Sequence, residues 1–385
     1  MSKKILLKMD IPIQRDEKTI VISAINFFEG GPLTILMDLI DELCSNEYSI
    51  FRIVIFIHRK DILIKKDYPI NITFIELSKS RKSYLFRLYY EYIFFKSFSK
   101  KNKVFLWLSL HDVTPNVIAK KRAVYCHNPT PFYKNTFKDL FLYPNLFLSS
   151  IFYKYLYQIN IRKNDYVVVQ PYWIKQEFVK LFNIKPDKII VATPVSNDVK
   201  ITFLSSEIEN DTTIFFYPCI PRPFKNIEVI AEACKILSHK NINNFKLILT
   251  IDGSENNYSR KIYDRFKEVK EIKFIGRQTR ESINNLYNIS DILLFPSTLE
   301  TWGLPLTEYK PFEKPIFASD LPYAKETIGE YEKVIFLDPL TSYKWANKME
   351  QIILRNPVKY HGNRAVEVPN PKANDWSGIF KLLLL

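Results

Sequence analysis

Apolar, β-branched runs alternate with helical patterns along almost the whole chain, and the scheme is run through twice. In the first half, 18–27 (KTIVISAINF) reads as a strand, and 30–46 (GGPLTILMDLIDELCSN) as a glycine turn feeding a helix, with Pro32 in its first turn. Further strand patterns follow at 51–58, 70–77, 103–110, 122–128 and 165–170. The second half repeats the scheme with strands at 212–219, 245–253, 272–276, 291–297, 314–320 and 333–339 and helices at 226–240, 279–290 and 342–356. Apolar runs separated by helices predict parallel sheets covered on both faces. The polar stretch 196–211 (SNDVKITFLSSEIEND) has no strong period and marks the seam. The expected fold class is α/β, with two Rossmann-like, doubly wound parallel-sheet domains facing a central cleft. Their expected bounds are 1–200 and 201–365, with 366–385 packing back on the first domain. Ligands of such sheets bind beyond the carboxyl ends of the strands.

A length of 385 residues suits two domains, each with its own core. Only eight glycines are present, so each is expected where backbone geometry matters. The four cysteines lie far apart with no CxxC pair, which suits a reducing cytosol and argues against a zinc site or a disulfide framework. The first residues contain no apolar signal run, and the charge-free stretch Leu140 to Tyr153 is too short to cross a membrane. The expected location is therefore cytoplasmic.

The net charge of +14 is uneven. Residues 1–200 hold 31 Lys and Arg against 18 Asp and Glu, whereas 201–385 hold 24 against 23. Within 79–103 (KSRKSYLFRLYYEYIFFKSFSKKNK) the basic residues are interleaved with aromatics. That pattern fits either a solvated helix or a peripheral contact with an anionic membrane surface, where each cation contributes ~1 kcal/mol and rings sit at headgroup level. No nucleic-acid motif is present, and no nucleic-acid partner is expected.

The chemistry concentrates in 297–312 (STLETWGLPLTEYKPF), where Glu300 and Glu308 bracket Gly303, Leu304 and Pro305. The strand before it ends near Ser297, and a helix is expected to open at Leu304–Pro305, since proline suits the first turn. Amides at a helix start attract phosphate, and Gly303 lets the backbone approach closely. Carboxylates accept paired hydrogen bonds from sugar hydroxyls. Two acids on either side of an anion site suggest a ligand with a diphosphate in the middle and a sugar at each end.

ETWGLPLTE resembles the E-x7-E signature of retaining GT-B glycosyltransferases of family 4, with Trp302 where phenylalanine is usual. The resemblance implies that Glu308 binds the nucleotide ribose and Glu300 the donor sugar, and that amides around Trp302, Gly303 and Leu304 hold the diphosphate. It also implies a basic pair after an earlier strand. In YPCIPRPFKNIEVIAEA, Lys225 matches the family's lysine, Ile220 stands where arginine is expected, and Arg222 is the candidate substitute. FIGRQTRESI resembles the loop that reads the nucleotide base, around Gly276 and Arg277. Gly30 and Gly31 resemble the glycine loop beside donor phosphate and acceptor. In VYCHNPTPFY, His127 ends a strand where related enzymes place a histidine by the donor sugar. His111 and Asp112 end another strand and are candidate acceptor contacts.

The resemblance implies transfer of a sugar from a nucleotide diphosphate sugar, linked to GDP, UDP or dTDP, to an acceptor hydroxyl with retention. His127, Glu300 and Lys225 form the expected catalytic set. No D-x-D pair occurs, so no metal cofactor is expected, and charged side chains with backbone amides must stabilise the leaving diphosphate. The basic, aromatic first half suits a lipid-linked oligosaccharide acceptor at the inner face of the cytoplasmic membrane. The segments around His111 and His127 look like those of bacterial O-antigen or capsule enzymes. Two other classes compete. A non-catalytic nucleotide-sugar sensor or membrane scaffold fits the missing arginine at 220, and a dinucleotide oxidoreductase fits the two Rossmann-like halves but lacks any G-x-G-x-x-G.

Overall fold

The structure is a computed structural model that describes residues 18–63, 67–134, 140, 143–193 and 212–385. The expected seam at 196–211 lies outside the described residues, and so does the domain boundary drawn at 200.

The first sheet has eight parallel strands. They are β1 (Lys18–Ala24), β2 (Phe51–Ile57), β3 (Ile72–Glu76), β4 (Val104–Ser109), β5 (Ala119–Cys126), β6 (Tyr166–Val169), β7 (Ile189–Ala192) and β14 (Lys372–Ala373). Their order is β14-β7-β6-β5-β4-β1-β2-β3. The second sheet is also fully parallel, with β8 (Thr213–Tyr217), β9 (Phe245–Leu249), β10 (Ile272–Phe274), β11 (Ile292–Phe295), β12 (Ile316–Ser319) and β13 (Val334–Leu337) in the order β10-β9-β8-β11-β12-β13. The central strands read as continuous apolar runs because helices cover both faces. All seven residues of β2 and all four of β11 are buried.

The helices are α1 (Gly30–Leu43), α2 (Tyr84–Tyr89), α3 (Phe95–Asn102), α4 (Pro144–Gln158), α5 (Tyr172–Phe182), α6 (Ile227–His239), α7 (Asn257–Phe266), α8 (Arg280–Ile289), α9 (Leu304–Tyr309), α10 (Pro322–Ile328), α11 (Ser342–Ile353) and α12 (Trp376–Leu384). A π-helical turn, Tyr90–Phe94, joins α2 to α3. Strand β7 and the short β14 have no counterpart among the strands read from the sequence. Four residues of KIIVA and two of β14 are too few to show a period. Strand β14 pairs with β7, and α12 buries Ile379, Phe380 and Leu383 in the first sheet's core beside Tyr48.

In each sheet the chain order reverses between two neighbouring central strands, β1 and β4 in the first, β8 and β11 in the second. The connections leave opposite faces there, opening a crevice at the carboxyl ends. Gly30 follows β1, His111 follows β4, Lys225 follows β8 and Glu300 follows β11, whereas His127 follows β5 and Gly276 the edge strand β10.

Candidate functional site

The site in the second sheet grows from its switch point. Strand β8 leads into the single 3₁₀ turn Pro223–Lys225, and β11 leads into the segment that carries Glu300. The two segments are tied together by backbone and side chain. Thr298 N–H donates to the Phe224 carbonyl at 2.7 Å, and Ser297 Oγ to the same oxygen at 3.0 Å. Asn226 takes a left-handed conformation, φ 53°, and its amide donates to the carbonyls of Pro296 and Pro339. This lacing brings Lys225 Nζ to 2.5 Å from Glu300 Oε1, with both side chains mostly buried. The residue expected at the diphosphate and the residue expected at the donor sugar are thus ion-paired. Arg222 lies three residues earlier on the exposed entrance to the turn, and Ile220 is 73% exposed.

Gly303 opens α9 with φ 82°. A Cβ there would sit 3.3 Å from Phe295 and 3.4 Å from Leu306, so conformation and packing both select glycine. Trp302 is half-buried and Leu304 exposed, so the helix start borders solvent. Helix α9 has only six residues, so its anion-attracting power comes from local amides more than from a long dipole.

Glu308 lies one turn into α9 and is 8% exposed. Arg280 donates to Oε1 at 2.7 Å and the Tyr287 hydroxyl to Oε2 at 2.9 Å. Burial, then the neighbouring Glu308 carboxylate, pushes the Tyr287 phenol well above its ordinary value, so it stays a proton donor. Arg280 and Tyr287 were not among the residues picked from sequence. Their seven-residue spacing puts them on one face of α8, and that is the signal that could have found them. Gly276, φ 66°, sits against Asp252, whose Oδ2 would be 2.7 Å from an added Cβ, and Arg277 beside it is exposed. Cys219, near Lys225, is no nucleophile at neutral pH. Burial pushes its thiol up to about 12 against the opposing pull of Lys225.

On the first sheet, Gly30 and Gly31 are the opening residues of α1, with open space around both. His127 follows β5. Its ring meets Phe27 edge-on at 5.2 Å, and Nδ1 lies 3.5 Å from Asp112 Oδ1. His111 and Asp112, expected as acceptor contacts, are both buried, 1 and 7% exposed. Asp112, in a left-handed conformation at φ 67°, accepts from the backbone N–H of His127 and Asn128 and from the Tyr157 hydroxyl, all through Oδ1. It organises the turn that carries His127. His111 is 1% exposed, and Nδ1 lies 2.9 Å from the equally buried Glu91 Oε1, too bent for a regular hydrogen bond. Buried acids and imidazoles demand internal partners, and a strand-end position alone does not reveal that.

Five hydrogen bonds among the described residues join the two sheets at the site. Thr301 Oγ1 donates to the His127 carbonyl at 2.6 Å, while the Thr301 carbonyl accepts from Trp173 Nε1 at 3.2 Å. Glu326, from α10, accepts the backbone N–H groups of Tyr172 and Trp173 at the start of α5. Burial pushes the Glu326 carboxyl up, opposed by those two N–H groups. Tyr143 donates to Glu228 on α6 at 2.8 Å. Thr327 also bonds the Trp302 carbonyl, so α10 supports the 300–304 loop.

Comparison with known proteins places this geometry. Residues 200–364 match the family model for glycosyl transferases group 1. Over 252 residues the chain is 23% identical to the O-antigen chain mannosyltransferase RfbU of Salmonella typhimurium, an overlap of 64% of this chain and 68% of that one. Sucrose-phosphate synthase from Thermosynechococcus elongatus shares the fold over 88% of this chain and 90% of its own, with a TM-score of 0.60 at 14% identity. A glycosyltransferase from Rickettsia africae does so over 89% and 90%, with a TM-score of 0.59 at 19% identity. Lys225, Glu300 and Glu308 all fall inside residues 200–364, the stretch that matches the glycosyl transferases group 1 model, and the chain as a whole has the two-sheet GT-B fold.

Proposed function

We propose that the chain transfers a sugar from a nucleotide diphosphate sugar, carried on GDP, UDP or dTDP, to a hydroxyl of a saccharide acceptor, with retention at the anomeric carbon in the manner of family 4. The observation that carries this reading is the Lys225–Glu300 pair at the switch point of β8 and β11, with Glu308 held eight residues further on. In the proposed roles, Lys225 faces the leaving diphosphate together with the amides of 302–304, Glu300 takes donor-sugar hydroxyls and Glu308 the ribose. His127 lines the opposite wall. Charge-assisted hydrogen bonds contribute about 1.5–3 kcal/mol each, so several fixed donors can stabilise the leaving charge without a metal. The enzyme positions donor and acceptor, and no side-chain nucleophile is needed.

The acceptor in this reading is a lipid-linked oligosaccharide of bacterial surface polysaccharide assembly, met at the cytoplasmic leaflet. Its support is the likeness to an O-antigen mannosyltransferase and the basic first half of the chain. Among the described residues no helix is long and apolar enough to cross a membrane. Thermal-shift measurements with GDP, UDP and dTDP test the donor class, since a ligand that binds the folded state raises the melting point by mass action. One of the three should do so, and its sugar conjugate should release the free diphosphate on incubation with acceptor. No shift with any of them rejects the reading.

A further inference from the structure

Two helices far apart in sequence present one continuous apolar surface to solvent. On α2 and the π turn, Tyr84, Leu85, Leu88 and Ile93 are 71, 78, 42 and 61% exposed. On α4, Leu148, Phe152, Tyr155 and Ile159 follow the spacing of one helical face and are 60, 51, 64 and 44% exposed. The faces meet where the Tyr84 and Phe152 rings approach at 6.4 Å. Isolated exposed apolar residues are ordinary, but two converging stripes of them are not.

The surroundings select the occupant. Segments 78–103 and 143–164 hold eleven Lys and Arg and a single acid, Glu91, which is buried against His111. Exposed cations stand before α2 (Arg81, Lys82), in the last turn of α3 (Lys100, Lys101) and in the 3₁₀ turn that follows α4 (Arg162, Lys163). These last two line a cavity of about 390 Å³ with Gln158, Asn160 and Phe182. A second copy of this chain would bring like charges together. An anionic lipid surface supplies both the apolar layer and the opposite charge.

The plateau also borders the cleft. Arg87 of α2 donates to the His111 carbonyl at the carboxyl end of β4, and Tyr143, just before α4, reaches Glu228 of the second sheet. We infer that the α2–α4 face is a docking surface for an anionic phospholipid bilayer, seating its rings and leucines among the headgroups and turning the cleft towards the leaflet. The inference rests on the lipid-borne acceptor proposed above and assigns the surface that would meet it.

Co-sedimentation with phosphatidylcholine vesicles, with and without phosphatidylglycerol, tests it on the full chain. The protein should bind the phosphatidylglycerol vesicles, release with salt, and bind pure phosphatidylcholine weakly. The pairs Leu85→Ser/Leu88→Ser and Leu148→Ser/Tyr155→Ser should each lower binding about tenfold, and Lys100→Glu/Lys101→Glu should lower it further at low salt. These side chains are exposed, so the nucleotide-induced melting shift should be unchanged, and that readout separates failure of docking from failure of the transferase reading. Equal binding by the serine variants, indifference to phosphatidylglycerol, or loss of self-association in place of vesicle binding would overturn the assignment.

Discussion

Lys225 Nζ and Glu300 Oε1 stand 2.5 Å apart, closing the carboxyl end of the crevice between β8 and β11. In the proposed reading, a nucleotide diphosphate entering there competes with the carboxylate for the lysine. Lys225→Ala should lower turnover at least about tenfold, because a charge-assisted contact to the leaving group is lost. The pair should also show a coupling of about 1–3 kcal/mol in a double-mutant cycle of Lys225→Met and Glu300→Gln, read by denaturant unfolding. Additive effects would mean that the pair does not hold the two segments together.

Glu308 has both oxygens engaged, one by exposed Arg280 and one by buried Tyr287. The two partners should differ. Tyr287→Phe removes a buried donor to a carboxylate and should cost about 1.5–3 kcal/mol of unfolding free energy. Arg280→Ala should cost less than about 1 kcal/mol, and that cost should shrink in salt. Glu308→Ala should lower turnover at least about tenfold in a folded protein, since loss of one buried acceptor for the donor costs at least ~1.4 kcal/mol in the transition state.

Gly303 combines φ 82° with close neighbours on Phe295 and Leu306. Gly303→Ala should therefore lose about 1–2 kcal/mol from the left-handed backbone alone. The loss is measurable as a lower midpoint in urea. Gly31→Ala, where an added Cβ meets nothing within 4 Å, serves as the control and should be close to neutral.

Glu326 gives a pH signature. Its carboxyl is pushed up from 4.5 in the folded protein, chiefly by burial. Both states are protonated well below 4.5, so burial of the charge costs nothing there. The cost appears as pH rises through 4.5 towards the raised folded value and is constant above it. Glu326→Gln should therefore improve relative to wild type as pH rises through this window. Melting temperatures of both proteins between about pH 4 and 7 check the sign. A difference that moves the other way would mean that the two N–H groups outweigh burial.

The doubly wound fold was legible because twelve apolar, β-branched runs alternate with helices, and period and length separate the two. The reversal of strand order that makes the crevice is not written in any local pattern. Lys225 and Glu300 could be named one by one, but their 75-residue separation hid the direct pairing that the switch point imposes. His111 and Asp112 show the opposite limit. A histidine and an acid after a strand look alike whether they face a cleft or a buried partner, and here Glu91, on a π turn, supplies that partner from 20 residues upstream. The two apolar stripes were half visible. The 79–103 segment announces itself by composition, whereas α4 becomes part of the same surface only through the contact of Tyr84 with Phe152.

Thr301 lies between Glu300 and Trp302, yet its hydroxyl and its carbonyl are both engaged by the other sheet, at His127 and Trp173. A loop anchored only to its own sheet would inherit only that sheet's fluctuations. This loop is strung between the two, so separation of the sheets pulls directly on the backbone that joins Glu300 and Trp302. Thermodynamic linkage then runs both ways. In the proposed reading, closure of the sheets raises donor affinity by the same factor as the donor favours closure, and a change at Trp173, which has no place in the proposed donor contacts, acts on donor affinity through that coupling.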